Sequence, residues 1–89
     1  MNDEQEIKYS AVKRLMRELN YYRDELAALR SSLANAKDEF EIKKYNMMVT
    51  ESLAVMRSTR DKMAEYVREL AEHGVEAPSD VKAAMDANI

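Results

Sequence analysis

His73 is the one histidine in a chain of 89 residues that contains no cysteine, and it is the first candidate for acid–base or metal chemistry. Glu69 lies four residues earlier, on the same face of a helix, and Glu72 adjoins it; together they offer a divalent cation few ligands. The alternative is a histidine near a helix C-terminus, where the backbone dipole favours positive charge, and that reading needs no ligand. The hydroxyls of Ser31, Ser32, Ser52, Ser58 and Ser79 have no base spaced to activate them, and a single glycine cannot form a loop that cradles phosphate. Without cysteine there is no thiol nucleophile, no thiolate zinc site and no disulfide. The sequence offers no catalytic residue, no cofactor site and no metal site. Its chemistry is recognition, and the expectation is a protein that is not an enzyme.

The residues that could recognise a partner are charged or exposed and apolar. Between Ile7 and Arg17 the chain carries Lys8, Lys13, Arg14 and Arg17 with no acid, and Lys43 with Lys44 forms a second basic pair. From Glu65 onward the balance reverses: Glu65, Glu69, Glu72, Glu76, Asp80 and Asp86 stand against Arg68 and Lys82. In an antiparallel hairpin the basic start would lie beside the acidic end, and mutual neutralisation is one account of these runs. The other is an acidic partner surface met by the outward Lys13, Arg14 and Arg17, where charge sets on-rate and specificity. Met47 and Tyr21 point away from the apolar stripes, as a thioether and an aromatic ring at an interface would. Met56 and Met63 lie on a stripe and read as core. A net charge of −3 argues against nucleic acid as a partner. No apolar run approaches the roughly 20 residues of a membrane span, and the opening MNDEQE is unlike a signal peptide, so the expected compartment is the cytosol.

The elements that position these residues are helices. One glycine and one proline cannot punctuate a multi-stranded sheet. Val12, Leu15, Leu19, Tyr22, Leu26, Leu29, Leu33 and Ala36 recur in threes and fours, which predicts a helix over about 3–36, capped by Asn2 with Gln5. A second stripe runs through Ile42, Tyr45, Val49, Ser52, Met56, Thr59, Met63, Tyr66 and Leu70, out of phase with the first. One straight helix cannot hold both stripes on one face. The chain should therefore break near Asn35 and restart at Asp38, with Glu41 completing a capping box, to give a second helix over about 39–73. With no glycine at that turn, one very long helix remains the competing arrangement. Gly74 and Pro78 end the second helix, and a short third helix over about 79–88 follows, capped by Ser79 or Asp80, with Val81, Ala84, Met85 and Ile89 on its buried face.

The expected fold is all-α: an antiparallel hairpin of two long helices plus a short C-terminal helix, a three-helix bundle forming a single domain over residues 1–89. The third helix should lie along Ile7–Met16 and Met63–Leu70 and fall short of the half that holds Leu26, Leu33, Phe40 and Met48. That bare half would need a second protein chain, and a homodimer formed near the first turn is one candidate.

The stretch IKYSAVKRLMRELNYYRDE at residues 7–25 resembles the first helix of the tubulin-binding cofactor A family, the tubulin-specific chaperones. FEIKKYNMMVTES from Phe40, followed by the run to REL at Leu70, resembles its second helix: an aromatic, an acid, Ile-Lys-Lys and then Glu-Ser. The two stretches come in the family's order and cover about two-thirds of the chain. The resemblance implies a helical bundle that captures β-tubulin after the cytosolic chaperonin, on the way to the αβ heterodimer, with no cofactor of its own and a place beside the microtubule cytoskeleton. It carries Lys13, Arg14, Lys43 and Lys44 over as candidate contacts; the residues themselves add Arg17, Tyr21 and Met47. The linker Ala34–Glu39 is shorter than the family pattern, as is the third helix. The rival reading is a homodimeric coiled-coil scaffold or adaptor with no tubulin role.

Overall fold

A computed structural model describes residues 1–87. It contains α1 (Asp3–Ala34), α2 (Glu39–Glu72) and α3 (Ser79–Met85), with no strand among the described residues. The expected contribution of Ile89, and the extension of the third helix to residue 88, lie outside the described residues. The long helices pack antiparallel into a rod 55 Å long and 18 × 16 Å across.

Each long helix begins with local chemistry that its sequence announces. The Asn2 side chain accepts the Gln5 backbone N–H at 2.9 Å, and the Gln5 side chain accepts the Asn2 N–H at 3.2 Å, satisfying two donors that helix geometry leaves without partners. At α2 the Asp38 carboxylate accepts the Glu41 N–H at 2.8 Å. The reciprocal half differs from expectation: Glu41 accepts the N–H of Lys37, not of Asp38, at 3.2 Å. Its carboxylate thereby ties down the linker itself. Asn35 closes α1 by donating its side-chain amide to the Ser31 carbonyl at 2.9 Å, so four residues reverse the chain without glycine.

Gly74 ends α2 with a left-handed backbone, φ +75°. Its N–H donates to the Ala71 carbonyl and that of Val75 to the Leu70 carbonyl, both at 3.0 Å, the double closure of a Schellman motif. Pro78, not Ser79 or Asp80, stands at the N-cap of α3, and no side chain caps that helix. The Pro78 carbonyl accepts the Val81 and Lys82 N–H groups instead.

The apolar stripes meet as expected. Val12, Leu15 and Leu19 of α1 pack with Met56, Met63 and Leu70 of α2, and Val81 and Ala84 of α3 complete the core. Seven residues are too few for a stable isolated helix, so α3 persists through this docking. Its position corrects the sequence expectation. Lys8 faces Glu69, which sets the register of α1 against α2. From Gly74 the chain runs through four residues, with Ala77 buried and Val75 packed inward. At roughly 3.3 Å per residue this carries the chain about 13 Å back along the rod before α3 starts. Pro78 and Val81 therefore border Met16 and Asn20, and Ala87 borders Arg23 and Leu26. The chain just past α3 reaches Leu26 at Ala87, and Ile7 is left 70% exposed, where the sequence reading had Ile7 covered and Leu26 bare.

Candidate functional site

The basic run on α1 divides by where each side chain finds a counter-charge. Lys8 is turned toward α2: its Nζ lies 3.2 Å from Glu69 and 3.3 Å from Glu4. The Glu69 hydrogen bond first, and that of Glu4 second, raise the Lys8 ammonium above its ordinary pKa. Neutralisation by the acidic end of α2 accounts for this residue. The next three make no ion pair with α2, although Asp80 of α3 borders the same cavity as Lys13 and Arg17. Lys13 sits over the Tyr9 ring at 5.1 Å, and Arg14 lies 3.9 Å from Glu18 on its own helix. Exposed pairs of this kind contribute about 0.2–1 kcal/mol, so a partner's carboxylates would compete for these cations at little cost. Arg17 borders an open groove of about 890 Å³ together with Ile7, Ala11, Arg14 and Tyr66. Asp3 and Glu6 line the same groove, so two carboxylates and two guanidinium groups stand around its apolar residues.

Tyr21 continues this face. Arg14, Arg17 and Tyr21 are three and four residues apart, so their side chains follow one another along one side of α1. The Tyr21 ring is 66% exposed and stands edge-on to Tyr22, with centroids 5.6 Å apart and planes at 73°. Tyr22 is half-buried against the core, so it holds the outer ring in place without covering it. A positioned aromatic beside exposed cations is a composition enriched at binding interfaces.

Lys43, Lys44 and Met47 form a separate patch near the opposite end of the rod. Counted along α2 from Glu69, which marks the level of Lys8, Lys43 is roughly 30 Å from Arg14. Lys43 lies 3.9 Å from Glu39, and Lys44 sits over the Tyr45 ring at 5.3 Å. Met47 is 64% exposed. The seven candidates thus fall into two groups: Lys13, Arg14, Arg17 and Tyr21 on α1, and Lys43, Lys44 and Met47 on α2. A ligand touching both would have to be a macromolecule.

Two further residues belong with these groups: Phe40, which the sequence reading placed in the half left for a second chain but not among the contact candidates, and Ile7, which it placed under the third helix. Phe40 is 77% exposed and stands three residues before Lys43 and seven before Met47. That spacing was the available signal. Ile7 joins the α1 face because α3 begins too far along the rod to cover it. His73 is the exposed C-cap of α2, and Glu69 is engaged by Lys8 across the helix interface. Among the described residues no group of three or more His, Cys, Asp or Glu is placed to hold a metal ion, and no helix is long and apolar enough to cross a membrane.

Compared with known protein families, the chain matches the model described as tubulin binding cofactor A over residues 2–87. No curated protein and no solved structure matches it. The matched span takes in all three helices, both groups of candidate residues and the turn between them.

Proposed function

The chain belongs to the tubulin binding cofactor A family, a family of tubulin-binding chaperones, and on that premise we propose that it captures β-tubulin after the chaperonin and holds it until the αβ heterodimer forms. The observation that carries this reading is the family match from residue 2 to residue 87. The geometry supports it in kind. A rod whose described grooves are open to solvent, bearing cations and exposed apolar side chains on its outer faces, suits holding a folded or nearly folded client. The charged surroundings disfavour indiscriminate hydrophobic contact. The work is binding, not catalysis, and its place is the cytoplasm beside the microtubule cytoskeleton. Lys13, Arg14, Arg17 and Tyr21 form the first face to engage the client, with Lys43, Lys44 and Met47 as a second. Presenting the immobilised chain with separated α- and β-tubulin tests the reading. Retention of β-tubulin in preference to α-tubulin supports it, and equal retention of both, or of neither, rejects it.

A second reading rests on Phe40, Ile42, Met47, Met48 and Val55, which are exposed toward the turn. Exposed apolar residues gathered in one half of a rod favour self-association there. In that reading the chain is a homodimer through the turn half, either in addition to holding tubulin or as a scaffold without a tubulin role. Sedimentation equilibrium at micromolar concentration separates the cases. A dimer that Leu33→Lys dissociates supports self-association, and a monomer throughout rejects it.

A further inference from the structure

The outer face of α1 carries its charges in two blocks with an apolar stretch between them. Asp3, Ile7, Ser10, Arg14 and Arg17 are spaced four, three, four and three residues apart, so they form one stripe, with Glu6 and Ala11 on its borders. Asp3 and Glu6 supply the acidic block and Arg14 and Arg17 the basic one, around the open groove that Tyr66 of α2 also borders. Ile7, between the blocks, is 70% exposed, and Ser10 at the middle is exposed as well. The blocks do not satisfy each other within one chain. Glu6 and Arg14 are eight residues apart, about 12 Å of helix, and among the described residues Asp3, Glu6 and Arg17 form no ion pair. Arg14 has Glu18 at 3.9 Å, an exposed pair of little strength.

The order of the charges identifies the partner. Asp3 and Arg17 lie seven residues on either side of Ser10, and Glu6 and Arg14 lie four on either side. A second α1 laid antiparallel across Ser10 brings the Arg17 of each copy level with the Asp3 of the other, and each Arg14 level with Glu6. We infer that the outer face of α1 binds a second copy of the chain, antiparallel about a two-fold axis at Ser10, through Asp3–Arg17 and Glu6–Arg14 pairs formed twice over. A two-fold contact needs a surface complementary to itself, and a face of one sign would repel its own copy. Ser10 and Ala11 are small, so the helices approach closely at the axis. Ile7 then drops between Ser10 and the aliphatic stem of Arg14 in the other copy and loses its exposure. A parallel pairing would set acid against acid and arginine against arginine, so the charges select the antiparallel one. The contact lies at the far end of the rod from the turn half, and the inference does not depend on the client being tubulin. It covers Arg14 and Arg17, so a client that uses those cations competes with the second copy for one face.

The contact runs about four helical turns on each side, small for a specific interface, so association is expected at roughly 10–100 μM. Sedimentation equilibrium across that range should show the parent moving from monomer toward dimer, and less so as salt is raised. Asp3→Arg with Glu6→Arg makes the face wholly basic, and Arg14→Glu with Arg17→Glu makes it wholly acidic. Each double variant alone should self-associate at least about tenfold more weakly than the parent, and an equimolar mixture of the two should form a heterodimer. Far-ultraviolet circular dichroism checks that both stay helical. The chain has no cysteine, so Ser10→Cys places a single thiol at the axis, and in air it should form a disulfide-linked dimer faster than Ser58→Cys on α2 does. Four results would overturn the inference. These are a parent that stays monomeric across the range, double variants that dimerise as well as the parent, a mixture that associates no better than either variant alone, and equal cross-linking at Ser10→Cys and Ser58→Cys. A dimer that Leu33→Lys dissociates and both double variants leave intact would also overturn it, by assigning self-association to the turn half.

Discussion

Met63 and Met47 are the same residue type on the same helix, sixteen positions apart, and the structure assigns them opposite roles. Met63 is 0% exposed between α1 and α2, whereas Met47 stands in solvent. Truncating a fully buried methionine to alanine removes apolar contacts and leaves a cavity that a close-packed interior fills incompletely, at a cost of about 2–5 kcal/mol. A domain of this length has a total stability of about 4–13 kcal/mol, so the loss is a large share of the whole. At about 4–8 °C per kcal/mol, Met63→Ala should lower the melting temperature by at least about 8 °C, and at the upper end unfold the chain near ambient temperature. Met47→Ala removes a side chain that touches little of its own molecule and should stay within about 0.5 kcal/mol of the parent. Thermal and urea denaturation followed by far-ultraviolet circular dichroism measure both variants. The packing argument is refuted if Met63→Ala melts within about 4 °C of the parent, or if Met47→Ala loses as much. The pair also separates stability from function: Met47→Ala should weaken tubulin retention while its melting curve stays in place.

Three further outcomes follow from single features. At Gly74 an added Cβ would meet nothing within 4 Å, so Gly74→Ala carries only the backbone cost of its left-handed conformation, about 1 kcal/mol, read as a fall of about 4–8 °C in melting temperature. Ser52 is buried with its hydroxyl unpartnered, so Ser52→Ala should be neutral or stabilise by up to about 2 kcal/mol; a clear loss in chemical denaturation would show that the hydroxyl has a partner. The Lys8 pKa is raised in the folded state, so its ion pairs contribute stability that is fully present below the unfolded value of 10.5 and lost as pH rises through the higher folded value. The gap in melting temperature between the parent and Lys8→Met should therefore hold steady from neutral pH and close in the alkaline range; a gap that closed below about pH 9 would contradict the assignment.

The elements were legible because their causes are local. The seams of α1 and α2 follow from side-chain periodicity, and Asn2 with Gln5 and Gly74 with Ala71 act within a few residues of each other. The lie of α3 was not legible. It depends on the path from Val75 to Pro78, whose length along the rod follows from those residues running forward after Gly74 and not folding back on it. The fate of each basic residue was hidden for a similar reason. Lys8 and Lys13 both read as members of one run, yet α2 presents Glu69 to Lys8 while Lys13 lies over the Tyr9 ring. Long charged side chains take their partners from neighbours that only the packed structure supplies. The candidate surface was therefore legible as a composition, and its division into two faces about 30 Å apart was not.

The central claim is that this rod holds β-tubulin through the outer face of α1. Size-exclusion chromatography with light scattering, run on the chain mixed with β-tubulin, tests it most directly. The account predicts a complex whose mass is the sum of one copy of each protein, lost when Lys13, Arg14 and Arg17 are all changed to glutamate in a chain that keeps its helical circular dichroism. Separate elution of the unaltered chain and β-tubulin, or a complex undiminished by the triple charge reversal, would contradict it.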